Sequence, residues 1–145
     1  MLKGMSKLLT GDLLKALCDM GHGDRVAITD ANFPAHTVSK TVLTFPGCSA
    51  TEILATILPI FPVDHIEKKP VLLMDMTEED RAEMEEPGIW KEFCDIIRTE
   101  YGESRKVGKL SRNEFYDASR GCSLIIQSGE ERLYGNIILT KGVVK

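Results

Sequence analysis

Short apolar runs alternate along this chain with amphipathic helical segments. That alternation confines the fold to a layered α/β arrangement. The strand candidates are residues 25–30 (RVAITD), 41–45 (TVLTF), 70–76 (PVLLMDM), 122–127 (CSLIIQ) and 136–140 (NIILT), with a less apolar run at 106–110. Between them lie helical patterns with start signals. Thr10 is placed to cap a helix through Leu13, Leu14, Leu17 and Cys18, stopped at Gly21. Ser49-Ala-Thr-Glu52 and Ser111-Arg-Asn-Glu114 both have capping-box form. The first opens a helix through Ile53, Leu54, Ile57 and Leu58, ending near Pro59. The second opens one that ends at Gly121. Thr77 begins a short acidic helix that Pro87-Gly88 break, and residues 89–101 put Trp90, Phe93, Cys94 and Ile97 on one helical face. Residues 32–36 are expected to be irregular because Pro34 restricts itself and its neighbour. Residues 128–131 read as a turn, so the last two strands are expected to form an antiparallel hairpin in a mixed sheet. No repeat, low-complexity tract or linker interrupts the pattern, which indicates one domain over residues 1–145.

The chain has 145 residues, 43% hydrophobic and 28% charged, enough to bury a core without staples. Its formal net charge is -4, and its basic cluster at Arg105, Lys106 and Lys109 is short. That argues against nucleic acid and anionic membranes as partners. No run is apolar enough for a secretory signal or a membrane span. Cys18, Cys48, Cys94 and Cys122 are scattered, without a C-x-x-C pair, so reduced thiols in a cytoplasmic protein are expected. Cys18 and Cys94 are read as packing residues.

Four places carry chemistry. In Met20-Gly-His-Gly-Asp24, glycines on both sides leave His22 open to close approach, and imidazole gives and takes protons near neutral pH. The same pattern also describes a helix C-cap with a polar turn residue. In Asp30-Ala-Asn-Phe-Pro-Ala-His36, a carboxylate ends a strand, where α/β folds bind ligands. It can accept from sugar hydroxyls or orient a histidine, or else form an Asx-type turn. Arg112, in the first turn of its helix, offers fixed donors but also reads as a surface arginine. Tyr134-Gly-Asn136 supplies donors and acceptors together, as hydroxyl recognition requires, or a hairpin rim. His65 lies in a polar loop and reads as solvated. His22, Asp30 and His36 as metal ligands match no recognised helical spacing, and no serine or cysteine has nucleophile-elbow surroundings.

In combination these segments resemble the D-ribose pyranase/L-fucose mutarotase (RbsD/FucU) family. The resemblance rests on residues 13–17 (LLKAL), 20–24 (MGHGD) and 30–36 (DANFPAH). It continues through Phe115-Tyr116, residues 128–130 (SGE), 134–139 (YGNIIL) and 141–143 (KGV). The stretch at Phe33-Pro-Ala-His36 looks like the fucose branch, with His36 as a pocket candidate; the segment around Arg112 is more polar than usual there. The resemblance implies a proton-donor role for His22 and substrate contacts from Asp30, Arg112, Tyr134, Gly135 and Asn136. It also implies a three-layer α/β/α domain in ring-like homo-oligomers, commonly decamers, with sites between subunits.

The expected activity is interconversion of sugar anomers, L-fucose first and ribose forms second. Ring opening needs a proton delivered to the ring oxygen and one removed from the anomeric hydroxyl. Nothing is oxidised and no charge demands a metal, so neither cofactor nor metal is expected. General acid–base catalysis contributes typically about 10²–10⁴-fold, which suits a reaction already slow but measurable in water. His22 is the expected shuttle, Tyr134 a relay or orienting group, and Asp30 the group that fixes the histidine or a hydroxyl. Arg112 and Asn136 bind hydroxyls. A non-catalytic sugar sensor or transport accessory protein would keep the hydroxyl-binding residues but would not need a titrating histidine. A metal-dependent aldose–ketose isomerase would yield a ketose.

Overall fold

The computed structural model describes residues 2–145; Met1, the first residue of the expected domain, lies outside them. In chain order the elements are α1 (Gly11–Asp19), β1 (Arg25–Thr29), α2 (Ala35–Val38), β2 (Val42–Phe45) and α3 (Ala50–Ile57). They continue with a 3₁₀ turn at Leu58–Ile60, then β3 (Val71–Met74), α4 (Glu78–Glu83), α5 (Gly88–Tyr101), β4 (Val107–Leu110), α6 (Arg112–Arg120), β5 (Leu124–Ser128) and β6 (Ile137–Thr140). The start signals act as their chemistry requires. Thr10 accepts from the Leu13 N–H, and both capping boxes form reciprocally at Ser49/Glu52 and Ser111/Glu114.

The strands form one mixed sheet in the order β2-β5-β1-β6-β3-β4. β2, β5 and β1 run parallel, as do β3 and β4, and β6 runs antiparallel between β1 and β3. The expected β5/β6 hairpin does not form, because β1 lies between the two strands. Successive residues of β1, β3 and β6 are buried, so both sheet faces are covered. α3 packs on α5 and against β1 and β5, while α2 packs on α6, which reaches β3 and β4. These two groups are the outer layers of an α/β/α domain.

Two local readings change. Pro34 sits at the N-cap of a single helical turn, where its missing N–H costs nothing, so residues 35–38 are helical and His36 belongs to α2. Cys18 is exposed, one position past the buried stripe of Leu13 and Leu17, and is not a packing residue; Cys94 is half-buried. No helix among the described residues is long and apolar enough to cross a membrane.

Candidate active site

The direction of β6 creates the site. Because it runs against its neighbours, its first residues lie at the same sheet edge as the last residues of β1 and β3. Asp30 follows β1, Met74 ends β3, Arg112 follows β4, and Asn136 precedes β6. These four line one cleft of about 250 Å³ with Asn32, Phe33, Asp80, Tyr116, Leu133 and Tyr134. The cleft sits at the carboxyl edge, where parallel strands flank an antiparallel one.

At its floor Asp30 and Asn136 are both buried. The Asn136 Oδ1 accepts from the Asp30 backbone N–H at 3.0 Å, so its Nδ2 is turned to the Asp30 carboxylate, 2.7 Å away. The Asn32 N–H donates to the other carboxylate oxygen at 3.0 Å. Burial pushes the Asp30 carboxyl above its ordinary range, against the opposing pull of these hydrogen bonds.

Tyr134 enters from the loop before β6 with φ 62°, a left-handed conformation unusual for a bulky residue. Its hydroxyl donates to the Asp80 carboxylate and accepts from the Thr77 N–H at 3.1 Å. Its ring meets Trp90 edge-on, with centroids 6.3 Å apart. Gly135 cannot carry a side chain, since a Cβ there would lie 2.8 Å from Glu130 Cγ. Glu130 anchors the loop: its backbone carbonyl accepts from the Ala31 N–H at 2.8 Å, and its buried carboxylate accepts from Arg132 at 2.8 and 3.0 Å. The Arg132 guanidinium holds the Glu130 carboxyl below its ordinary value despite burial.

The opposite wall is aromatic. Phe33 packs edge-on against Phe115 and tilted against Tyr116, at 6.0 and 5.4 Å. Arg112 is held across the mouth by its Nε, which donates to the Tyr116 hydroxyl at 3.1 Å. That bond, with the nearby Tyr134 and Asp80, favours the charged guanidinium. The cleft thus offers carboxylates, an amide, a guanidinium and phenols around apolar surfaces of Phe33, Met74 and Leu133. Polyols need two-way hydrogen bonding of this kind.

His22 is elsewhere. It precedes β1, whereas Asp30 follows it, and five strand residues separate the two ends by about 16 Å. The imidazole is 47% exposed, and its Nε2 lies 3.2 Å from Oδ1 of Asp64, whose side chain is 5% exposed. Within one chain, then, the carboxylate beside the histidine is Asp64 and not Asp30. Burial opposes ionisation of Asp64, but N–H groups of Glu67, Ile66 and His65 and the His22 ring outweigh it, so its carboxyl titrates below the ordinary value. His65 lies 3.8 Å from the same oxygen. The loop is pinned from both sides: the Gly23 N–H donates to the Lys141 carbonyl at 2.8 Å, and Lys141 Nζ caps the end of α1 at the Leu17 and Met20 carbonyls. His36 is exposed on α2 and lines no part of the cleft within its own chain.

Of the residues named from the sequence, Asp30, Arg112, Tyr134 and Asn136 line one cleft, Gly135 links the last two, and His22 and His36 lie apart from it. Sequence reasoning missed Asp64 beside His22 and, in the cleft, Met74, Asp80, Tyr116 and Leu133. Asp80 sits in a short acidic helix whose composition signals only solvent, and Asp64 in a loop without periodicity. The pairing of Asp64 with His22 spans 42 positions, beyond any local signal.

An α/β/α domain with a polyol-sized cleft at its carboxyl edge is therefore defined. The model of the RbsD / FucU transport protein family matches residues 3–144, and the chain belongs to that family. It is 34% identical to the L-fucose mutarotase of Histophilus somni over 99% of this chain and 97% of that one. The fucose mutarotase from Streptococcus pneumoniae, solved with L-fucose, superposes with a TM-score of 0.92 at 33% identity, covering 99% of this chain and 100% of that one. RbsD of Bacillus subtilis, solved with D-ribose, shares the fold at a TM-score of 0.70 and 24% identity over the full length of both chains.

Proposed function

We propose that this protein is a cofactor-independent sugar mutarotase that interconverts the anomers of L-fucose, with pyranose and furanose forms of ribose as secondary substrates. The observation that carries this reading is the cleft. It sets Asp30, Asn136 and Arg112 around apolar walls, in a chain about a third identical to fucose mutarotases. A deoxysugar with one methyl group matches a site that is polar on its floor and apolar on one side.

In this reading the sugar lies over Asp30, whose carboxylate accepts a hydrogen bond from a sugar hydroxyl. Asn136 holds that carboxylate in place, and Arg112 donates to sugar oxygens. Tyr134 orients or relays. His22 takes the proton of the anomeric hydroxyl and delivers it to the ring oxygen, so the open aldehyde turns and recloses on its other face by the reverse transfer. The histidine serves a cleft on another copy, since its own cleft lies at the far end of β1. A closed homo-oligomer such as a decameric ring would supply that neighbour, and His36 would face the shared space.

The test is saturation-transfer NMR on L-fucose, with a panel of free sugars for comparison. Wild-type protein should accelerate anomer exchange, and His22→Ala should abolish the acceleration while keeping its circular dichroism. Wild-type rates in the variant would sink the assignment. Saturable sugar binding without acceleration would favour a sensor. A ketose product or strong loss on chelation would favour a metal isomerase.

A further inference from the structure

We infer that Asp64 is a positioning residue that fixes the tautomer of His22, so that Nδ1 is the ring atom that exchanges protons with the sugar. The inference rests on the mutarotase reading for its function, but not for its geometry.

Asp64 is buried, yet two hydrogen-bonding partners meet its carboxylate. The Glu67 N–H donates to Oδ2 at 2.9 Å, and the His22 Nε2 lies 3.2 Å from Oδ1. The N–H groups of Ile66 and His65 also favour its charged form. An ionised carboxylate has no proton to give, so it can only accept. The His22 Nε2 must therefore carry hydrogen, which leaves the neutral ring with its lone pair on Nδ1. The alternative tautomer would set a lone pair against a carboxylate. His65 reaches the same oxygen only at 3.8 Å, too far for a hydrogen bond.

Asp64 is itself placed by main chain. Its N–H donates to the Thr140 carbonyl at 2.9 Å, and the Gly142 N–H donates to the Pro62 carbonyl at 2.7 Å. The segment beyond β6 that pins Gly23 thus also pins Asp64. Both partners of the dyad hang from one stretch of backbone, and the imidazole needs no search for its carboxylate. Asp30, named from the sequence as a group that could orient the histidine, is left free for the sugar.

Nitrogen-15 NMR of the histidine rings in the intact protein, without sugar, reads the tautomer directly. His22 should show hydrogen on Nε2 in its neutral form; hydrogen on Nδ1 overturns the inference, whatever the protein catalyses. Asp64→Asn can either donate to or accept from the ring, so both tautomers should appear. The anomer-exchange kcat should then fall, by up to about 10²-fold, the lower end of what general acid–base catalysis contributes, with little change in KM. An Asp64→Asn protein that folds, keeps one tautomer and keeps its kcat would equally overturn it. Failure of the wild-type protein to accelerate any sugar would sink the mutarotase reading, and the tautomer would still be read.

Discussion

Asp30 and Asn136 grip each other twice, the amide oxygen on the backbone N–H at 3.0 Å and the amide nitrogen on the carboxylate at 2.7 Å. The pair stitches the end of β1 to the start of β6 where the cleft floor lies. Asn136→Ala strands a buried N–H and removes a donor from a buried carboxylate. We expect a loss of about 1–3 kcal/mol in stability by urea unfolding, together with loss of L-fucose anomer exchange.

The raised carboxyl of Asp30 has a sign that unfolding can read. Burial raises the folded value, so the associated stability is fully present below the ordinary aspartate value, about 3.9, and is lost as pH rises through the folded value. Asp30→Asn is neutral at every pH. Wild-type stability should therefore gain on that of the variant between pH 7 and pH 4 in urea titrations, and the reverse trend would contradict the assignment.

Glu130 runs the other way. Arg132 holds its folded value down, so its contribution is present above the ordinary glutamate value, about 4.3, and fades as pH falls through the depressed folded value. Arg132→Met removes the charged donor from a buried carboxylate, which keeps a backbone N–H at 3.1 Å. The variant should lose about 2 kcal/mol at pH 7 by denaturant unfolding, and that deficit should shrink below pH 4.

Asp80 and Tyr134 act as one unit through their shared hydrogen bond. Tyr134→Phe and Asp80→Asn should each lower kcat/KM for anomer exchange by about tenfold. The double variant should lose little more than either alone, because both remove the same interaction. Additive losses in the saturation-transfer measurement would mean the two residues act separately.

Mixing tests whether His22 serves another copy. His22→Ala and Asp30→Asn are each expected to be inactive alone. Unfolded together and refolded as mixed assemblies, about a quarter of sites should unite an intact cleft with an intact histidine. Recovery near a quarter of wild-type exchange supports a shared site, and none at all indicates a site contained in one chain.

Much of this fold is legible in local sequence chemistry. Capping boxes at Ser49 and Ser111 are local chemistry, and local chemistry survives folding intact. The apolar runs became strands because only a covered sheet hides them. The hairpin inference failed for β5 and β6 because sequence neighbours need not pair when a third strand, β1, hydrogen-bonds to both. Asp30 and Asn136 were visible as chemical types at strand ends. Asp64 and Asp80 were not, because their roles come from partners 42 and 54 positions away.

β6 follows every other strand in the chain, yet it lies inside the sheet and joins two otherwise separate parallel groups. During synthesis those groups can assemble independently, but each ends on an unpaired edge until β6 arrives. The cleft floor and the backbone that pins both Gly23 and Asp64 arrive with it. A nascent or clipped chain lacking β6 would expose β1 and β3 as templates for foreign strands. Completion of the fold and acquisition of the site are thus the same late event, which ties chemical competence to protection from aggregation.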